Sequence, residues 1–372
     1  MSVTACDRLS VTACDRCLAR SWLLARLSAH LELARGRIYS VLALDDEAMI
    51  TAIGGREANA INAAYESFDA AAARSEASAC SLQTICCCDE RYPSGLRALD
   101  SAPAALYVAG GLGRFLELAA TDPVALVGAR RASPYGLEIA QALGRSVAAA
   151  GITIVSGMAL GIDSAAHAGA LDAGGRTIAV LPGGANRPYP PAKRHLYRRI
   201  VSAGAVVSEL PPGASPRRWC FPARNRLIAA LAQMTVVVEA GESSGALSTA
   251  RFARSLGRQL GAVPGRVTSP TAVGANALLA DGARLIRDAL DVLDSLAEVG
   301  VRPQHPPASS SGRPALSAEL QQLLEKIAAG HDPSSAAGES GLSPQEGLAA
   351  LASLELAGYL RREPGGAYTP TA

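Results

Sequence analysis

Residues 124–161, VALVGARRASPYGLEIAQALGRSVAAAGITIVSGMALGI, restrict this chain more than any other stretch. An apolar run from Val124 to Val127 stops at Gly128 and is followed by Arg130, Arg131 and Ser133. Ser133 is placed to cap a helix that opens on Pro134, where a missing N–H costs nothing. Leu137, Ala140, Leu143 and Val147 recur at helical spacing, and Gly151 supplies the left-handed residue that ends such a helix. A second apolar strand over 152–155 then runs into Ser156-Gly157. This is one strand–loop–helix–strand unit of a parallel sheet, with a basic loop at the carboxyl end of its first strand. Ligands of open α/β sheets bind at that end. Backbone N–H groups, a helix N-terminus and two arginines together invite a phosphate.

The alternation continues. Strands are predicted at 177–181, 205–208, 234–239 and 260–263, with helices over 163–173, 193–203, 225–232 and 248–256. Continuously apolar strands separated by helices imply a parallel sheet covered on both faces. A chain of 372 residues exceeds one ordinary domain. The predicted architecture is α/β: a Rossmann-like parallel sheet over 81–298, a small helical N-terminal domain over 1–80 of the SAM or helix-hairpin-helix kind, a linker over 299–314, and a winged-helix-like domain over 315–372.

In the N-terminal region Trp22, Leu23, Leu27 and Leu31 follow a helical period, Asp45 and Asp46 open a helix over 47–53, and Gly54-Gly55 ends it. No chemistry is visible there. SVTACDR occurs at 2–8 and again at 10–16, a sequence-level repeat, and residues 1–9 are expected to be poorly ordered. Residues 81–113 read as a connector with an edge strand. At the far end, Ser343-Pro344-Gln345-Glu346 forms a capping box, and 359–368 reads as a hairpin around Pro364-Gly365-Gly366. The helix between them carries Glu346 and Glu355 but neither Lys nor Arg, which favours protein docking over reading DNA.

Net charge is +2, and its distribution says more than its sum. Between Ala173 and Val238 the one acidic residue is Glu209, against Arg176, Arg187, Lys193, Arg194, Arg198, Arg199, Arg217, Arg218, Arg224 and Arg226. Such a segment points to a polyanionic partner or to a solvated basic face. Hydrophobic residues make up 49% of the chain, enough for a large core, yet Gly and charged residues break every run that could span a bilayer. A soluble cytoplasmic protein is expected. Its eight cysteines are then thiols. Cys14-x-x-Cys17 is half of a zinc pattern that no second CxxC or CxxH completes, so buried or incidental thiols are expected ahead of a zinc site and no metal ligand is assigned.

Cofactor motifs are missing. GARRASPYG is not GxGxxG, no acidic residue ends the second strand, and no GxxxxGK[ST] loop occurs, so neither NAD nor P-loop nucleotide chemistry is expected. Phe221-Pro222-Ala223-Arg224-Asn225-Arg226 is a second anion constellation, predicted at a helix N-terminus where cations oppose the dipole. Asn225 reads either as that helix's cap or as a ligand contact. A third constellation runs from Glu239 to Thr249 through Ser244 and Gly245, a small-residue loop that opens a helix and suits either a phosphate or a plain capped turn. His167, Ser156 and Ser208 form no recognisable nucleophile–base pair, and no GxSxG elbow occurs.

VALVGARRASPYG, GITIVSGMALGIDSAAHAGAL, GGRTIAVLPGG, YPPAKR, VVSELPPG, FPARNRLIAAL, VVVEAGESSGALSTARFA, GRQLGAVPG and GANALLADGA follow one another in an order and spacing that resembles the DNA-processing protein A family, DprA/Smf. The resemblance implies a Rossmann-like protein that binds single-stranded DNA without catalysis, is typically a dimer, and loads RecA recombinase during natural transformation. It assigns the DNA pocket to the loop at Gly128–Arg130, the Ser156-Gly157 turn, the basic segment near Lys193 and the Arg224-Asn225-Arg226 motif. The chain departs from the family where Ala129 replaces a serine, where Leu160 replaces an arginine, and where Lys193 and Arg194 end YPPAKR.

The resulting expectation is a sequence-tolerant single-stranded DNA-binding mediator without cofactor. Its predicted contacts are Gly128, Arg130, Arg131, Ser133, Ser156, Gly157, Lys193, Arg194, Arg224, Asn225, Arg226, Ser244, Gly245 and Thr249. Arg130, Arg224 and Arg226 would grip phosphates; Ser156, Gly157 and Gly245 would admit the backbone closely; Lys193 would add charge at the rim. The competing reading is a phosphoribohydrolase-type enzyme, prompted by Leu181-Pro182-Gly183-Gly184, although Ala185-Asn186-Arg187 stand where such enzymes need Thr and Glu. A pure protein adaptor is the third.

Overall fold

The computed structural model describes residues 13–301, 316–356, 359–362 and 368–370. The first copy of SVTACDR, most of the expected linker and the Pro364-Gly365-Gly366 turn lie outside them. One compact unit falls within Met1–His305 and a second within Pro306–Ala372.

The first unit is built on nine strands: β1 (Gln83–Cys86), β2 (Ala105–Ala109), β3 (Val124–Gly128), β4 (Ile154–Ser156), β5 (Thr177–Val180), β6 (Ala205–Ser208), β7 (Met234–Glu239), β8 (Gln259–Ala262) and β9 (Arg284–Leu285). Their order is β1-β2-β6-β5-β4-β3-β7-β8-β9. From β3 the chain steps outward through β4 and β5 to β6, then returns to the other side of β3 with β7. The strands from β6 to β9 pair in parallel. The reversal between β3 and β7 is the topological switch point, where the loops leaving both strands diverge and open a crevice.

Side chains alternate between two cores. Val124, Leu126 and Ile154 face one of them with Leu143 and Val147, whereas Ala125, Val127 and Val155 face the other with Leu227 and Ile228. Both faces are dry at the centre of the sheet, so the central strands are largely apolar along their whole length. Helix Pro134–Ala149 begins as predicted, with Ser133 Oγ accepting from Gly136 N at 3.1 Å. Its buried face is centred on Ala140, Leu143, Gly144 and Val147, and Leu137 is exposed. A Cβ on Gly144 would overlap the Ala166 carbonyl, and one on Gly169 the Gln141 carbonyl. This reciprocal pair lets helix Ile162–Asp172 pack directly against its neighbour.

The sheet is mixed at one side, not parallel throughout. β1 pairs antiparallel with β2, and β2 antiparallel with β6. The expected edge strand in 81–113 is thus two strands. All five residues of β2 are buried, which erases the alternation that would have revealed it.

N-terminal helices from Asp15–Arg26 to Ala70–Ala79 lie within the same unit. Asp45 caps Asp46–Ile53 through Ala48 N, while Asp46 instead pairs with Arg20 at 2.7 Å. Leu23, Leu27, Leu31 and Ile50 share a core with Trp219, Cys220 and Ala223.

The second unit holds helices Ala318–Ala328, Pro333–Glu339 and Pro344–Leu356 and the antiparallel strands Leu360–Arg362 and Tyr368–Pro370. The capping box forms, with Ser343 N donating to Glu346 Oε2 at 2.9 Å. Apolar periodicity does not reveal the middle helix, although Asp332-Pro333 announces it as cap and first residue.

Candidate nucleic-acid interface

A cleft of about 770 Å³ opens at the switch point. Its walls are the loop after β3 (Gly128, Ala129, Arg130, Arg131), the loop after β7 (Gly241, Ser243, Ser244, Gly245), the helix that follows it (Ser248, Thr249, Arg251) and helix Cys220–Leu231 (Phe221, Arg224, Asn225). Tyr39 reaches it from the N-terminal helices. Its charged lining is Arg130, Arg131, Arg224 and Arg251 against the carboxylate of Asp163.

Arg224 forms the floor. It is buried and donates to Val180 O at 2.7 Å, and its Nε has no partner among the described residues. Gly157 makes room for it, since a Cβ there would overlap the guanidinium. Burial lowers the Arg224 pKa to about 10; neighbouring Arg130 adds to the fall and Asp163 opposes it. Burial likewise raises the carboxyl of Asp163, while Arg224 and the amides of Ala159, Gly157 and Gly128 pull it back. Two guanidiniums that repel one another inside a concave site are stabilised together by an anion. Arg130 stacks over Phe221 at 4.4 Å from the ring centroid, and Tyr189 meets the same ring at 5.6 Å. Aromatic residues are 4% of the chain, yet Tyr39, Phe221 and Tyr189 collect at or beside this cleft.

Of the residues expected from sequence, Gly128, Arg130, Arg131, Arg224, Asn225, Ser244, Gly245 and Thr249 line the cleft together. The rest are elsewhere, for identifiable reasons. Helix Cys220–Leu231 starts before Pro222, which its first turn tolerates, so Arg224, Asn225 and Arg226 lie inside the helix and not at its N-terminus. Its first turn is met by Glu32, whose carboxylate accepts from Trp219 N at 3.1 Å. Arg226, 1% exposed, makes two bonds to Glu209 at 2.7 and 2.9 Å and spends further donors on Ser101 Oγ and Ala223 O. Asn225 caps nothing; its amide donates to Gly245 O and Ser248 Oγ, bracing the opposite wall.

Ser133 caps its helix, and its own N–H goes to Glu239 Oε2 at 2.8 Å. The N-terminus expected to hold a phosphate therefore already holds a carboxylate. Ser156 is buried, its hydroxyl donating to Leu126 O at 2.6 Å, and Gly157 N donates to Asp163. The Ser156-Gly157 turn lies behind Arg224. Lys193 ends the short turn Pro191–Lys193 and Arg194 opens the next helix, both away from the cleft lining. Arg199 and Arg176 face Asp172 and Glu117, so the basic segment is not one face.

Sequence reasoning missed Tyr39, Phe221 as a stacking surface, Asp163 and Arg251. Arg251 stands one helical step beyond Ser248, a signal that was there to read. Tyr39 carried none. The Leu181–Gly184 loop is buried beneath 211–216, with Gly184 N donating to Ala214 O at 2.9 Å.

His167 packs as a structural residue. It is fully buried, its Nδ1 meets Thr177 Oγ1 at 2.7 Å, and burial lowers its pKa from 6.5 to about 3. The folded protein thus refuses a proton that the unfolded chain accepts below pH 6.5. Stability from this group is complete above that pH and is lost as pH falls toward 3, at about 1.4 kcal/mol per pH unit. Between pH 7 and 5.5, urea unfolding should show the wild type losing about 1 kcal/mol more stability than His167→Gln. Equal losses would mean the imidazole is protonated when folded.

Residues 83–297 match the family described as DNA recombination-mediator protein A, and residues 304–366 match the DprA winged helix domain. A putative DNA processing protein DprA of Mycobacterium tuberculosis is 42% identical over 253 residues, 67% of this chain; the chain spans 65% of that relative's length. The Escherichia coli protein Smf is 35% identical over 283 residues, 74% of each chain. Among solved structures, DNA processing protein A of Streptococcus pneumoniae superposes with a TM-score of 0.61 at 32% identity, covering 75% of this chain and 95% of the other. That of Helicobacter pylori, described for its single-stranded DNA binding mode, gives 0.52 at 31% identity, covering 59% and 96%. Among the described residues no helix is long and apolar enough to cross a membrane.

Proposed function

Because the chain belongs to the DNA recombination-mediator protein A family, we propose that it binds single-stranded DNA in the arginine cleft and hands the strand to RecA recombinase, as a homodimer and without catalysing a reaction. The observation that carries this reading is the convergence of Arg130, Arg131, Arg224 and Arg251 on one cleft at the switch point, against a single carboxylate. Phosphates satisfy the guanidiniums, and the Arg130 guanidinium stacked on Phe221, with Tyr39 in the same cleft, supplies planar groups against which unstacked bases can lie. Both features favour a flexible strand over a duplex, whose bases are turned inward. The Helicobacter pylori relative, described as binding single-stranded DNA, supports the same assignment. Natural transformation is the process in which such a handover serves an incoming strand, and a cytoplasmic location follows from it.

Fluorescence anisotropy with a labelled oligothymidine and a duplex of equal length, titrated from about 50 to 300 mM salt, tests the reading. Binding is expected to favour the single strand and to weaken with salt at about 0.7 log units per log unit for each phosphate held. Equal affinity for the duplex, or binding indifferent to salt, would refute it.

A further inference from the structure

Two cysteine pairs that lie about 70 residues apart in sequence meet at one edge of the sheet. Cys14 is the residue before helix Asp15–Arg26, and Cys17 stands in that helix's first turn. Cys86 is the last residue of β1, and Cys88 follows two residues on. The sulfurs of Cys14, Cys17, Cys86 and Cys88 all lie within 4.8 Å of one another, and those of Cys17 and Cys88 are 3.8 Å apart. Tetrahedral zinc with bonds of about 2.3 Å to four thiolates sets its sulfurs roughly 3.8 Å from each other. A slight contraction of the remaining pairs around an ion completes that figure.

From these positions we propose that Cys14, Cys17, Cys86 and Cys88 bind one zinc ion, which clamps the start of the first helix to the edge strand of the sheet.

The local backbone suits this role. Cys14 and Cys17 are three apart across the start of a helix, so both sulfurs leave the same side, and the positive end of the helix favours thiolates there. Cys86 and Cys88 are alternate residues at a strand end. The amide of Cys14 points at Cys86 Sγ, 3.5 Å away, a bond of the kind that orients a metal-bound thiolate. A set of four sulfurs selects zinc over hard cations, which require oxygen. A half-pattern that looked incomplete in the linear sequence is thus completed by a C-x-C from the strand that the fold sets beside it. Such a clamp joins the helical segment that carries Tyr39 to the sheet that carries the arginines.

The full chain, purified in a thiol-free reductant without added metal, is expected to contain about one zinc per chain by mass spectrometry. Cys14→Ser and Cys88→Ser should each lose most of it, whereas Cys220→Ser, which packs in a different core, and Cys87→Ser, whose sulfur is 3.9 Å from that of Cys17 but outside the set, should keep it. If the ligand variants fail to fold, cobalt added to metal-depleted wild type decides the matter. Intense visible bands of tetrahedral cobalt–thiolate, abolished by equimolar zinc, support the site. Protein that holds no zinc and gives no such spectrum overturns the proposal. So do zinc retained in the Cys14→Ser/Cys88→Ser double variant, loss of zinc in Cys87→Ser, and iron in place of zinc.

Discussion

Replacing Arg226 by alanine is expected to cost about 3–5 kcal/mol of stability, because it leaves the Glu209 carboxylate buried without its counter-charge. For a unit of this size that is a fall in Tm of roughly 10 °C. Binding of single-stranded DNA by the protein that remains folded should change less than about twofold, since every contact Arg226 makes is to the protein itself. The double variant Arg226→Met/Glu209→Leu should recover most of the loss, because an apolar pair of similar volume avoids desolvating two charges. Thermal unfolding and anisotropy on the same samples separate the two quantities. A variant that melts normally but binds tenfold more weakly would show that Arg226 faces the polyanion after all.

That contrast bears on what the linear sequence can carry. FPARNR presents Arg224 and Arg226 as equivalent cations, two residues apart. On a helix that spacing turns them roughly 200° from one another, so one faces the cleft and the other the interior. Pro222 suggests an extended approach to the helix, which sets the expected start at 225 when it lies at Cys220, and so hides this divergence. Helix Pro134–Ala149 shows the opposite case. Its cap, its first proline and its closing Gly151 are local signals, and all three hold in the structure. What no local signal conveyed is that Glu239, over 100 residues away, would fill the N-terminus that Ser133 opens. Alternation of strand and helix conveys a parallel sheet with its ligand edge at the strands' carboxyl ends, but the reversal between β3 and β7 is fixed only by the strand order of the folded sheet. The pairing of β2 with β6, the arrival of Tyr39 and the meeting of the two cysteine pairs depend on contacts between distant segments that carry no shared motif.

Within the cleft the decisive variant is the triple replacement Arg130→Ala/Arg131→Ala/Arg251→Ala. All three side chains are exposed and none has a carboxylate partner among the described residues. Their removal should therefore cost little stability, in contrast to Arg226. If each neutralises one phosphate, the salt slope for a single strand should flatten by about 2, and affinity near 0.1 M salt should fall by about 10². Arg224→Ala is a poorer choice, because it also strips the buried Asp163 of its neighbouring charge and mixes folding with binding. Lys193→Ala/Arg194→Ala is the matched control: exposed or half-exposed cations outside the cleft lining, whose loss should lower the slope by less than their number. A triple variant with an unaltered slope, or a control that falls as far as the triple, would move the strand from the switch point to another face of the molecule.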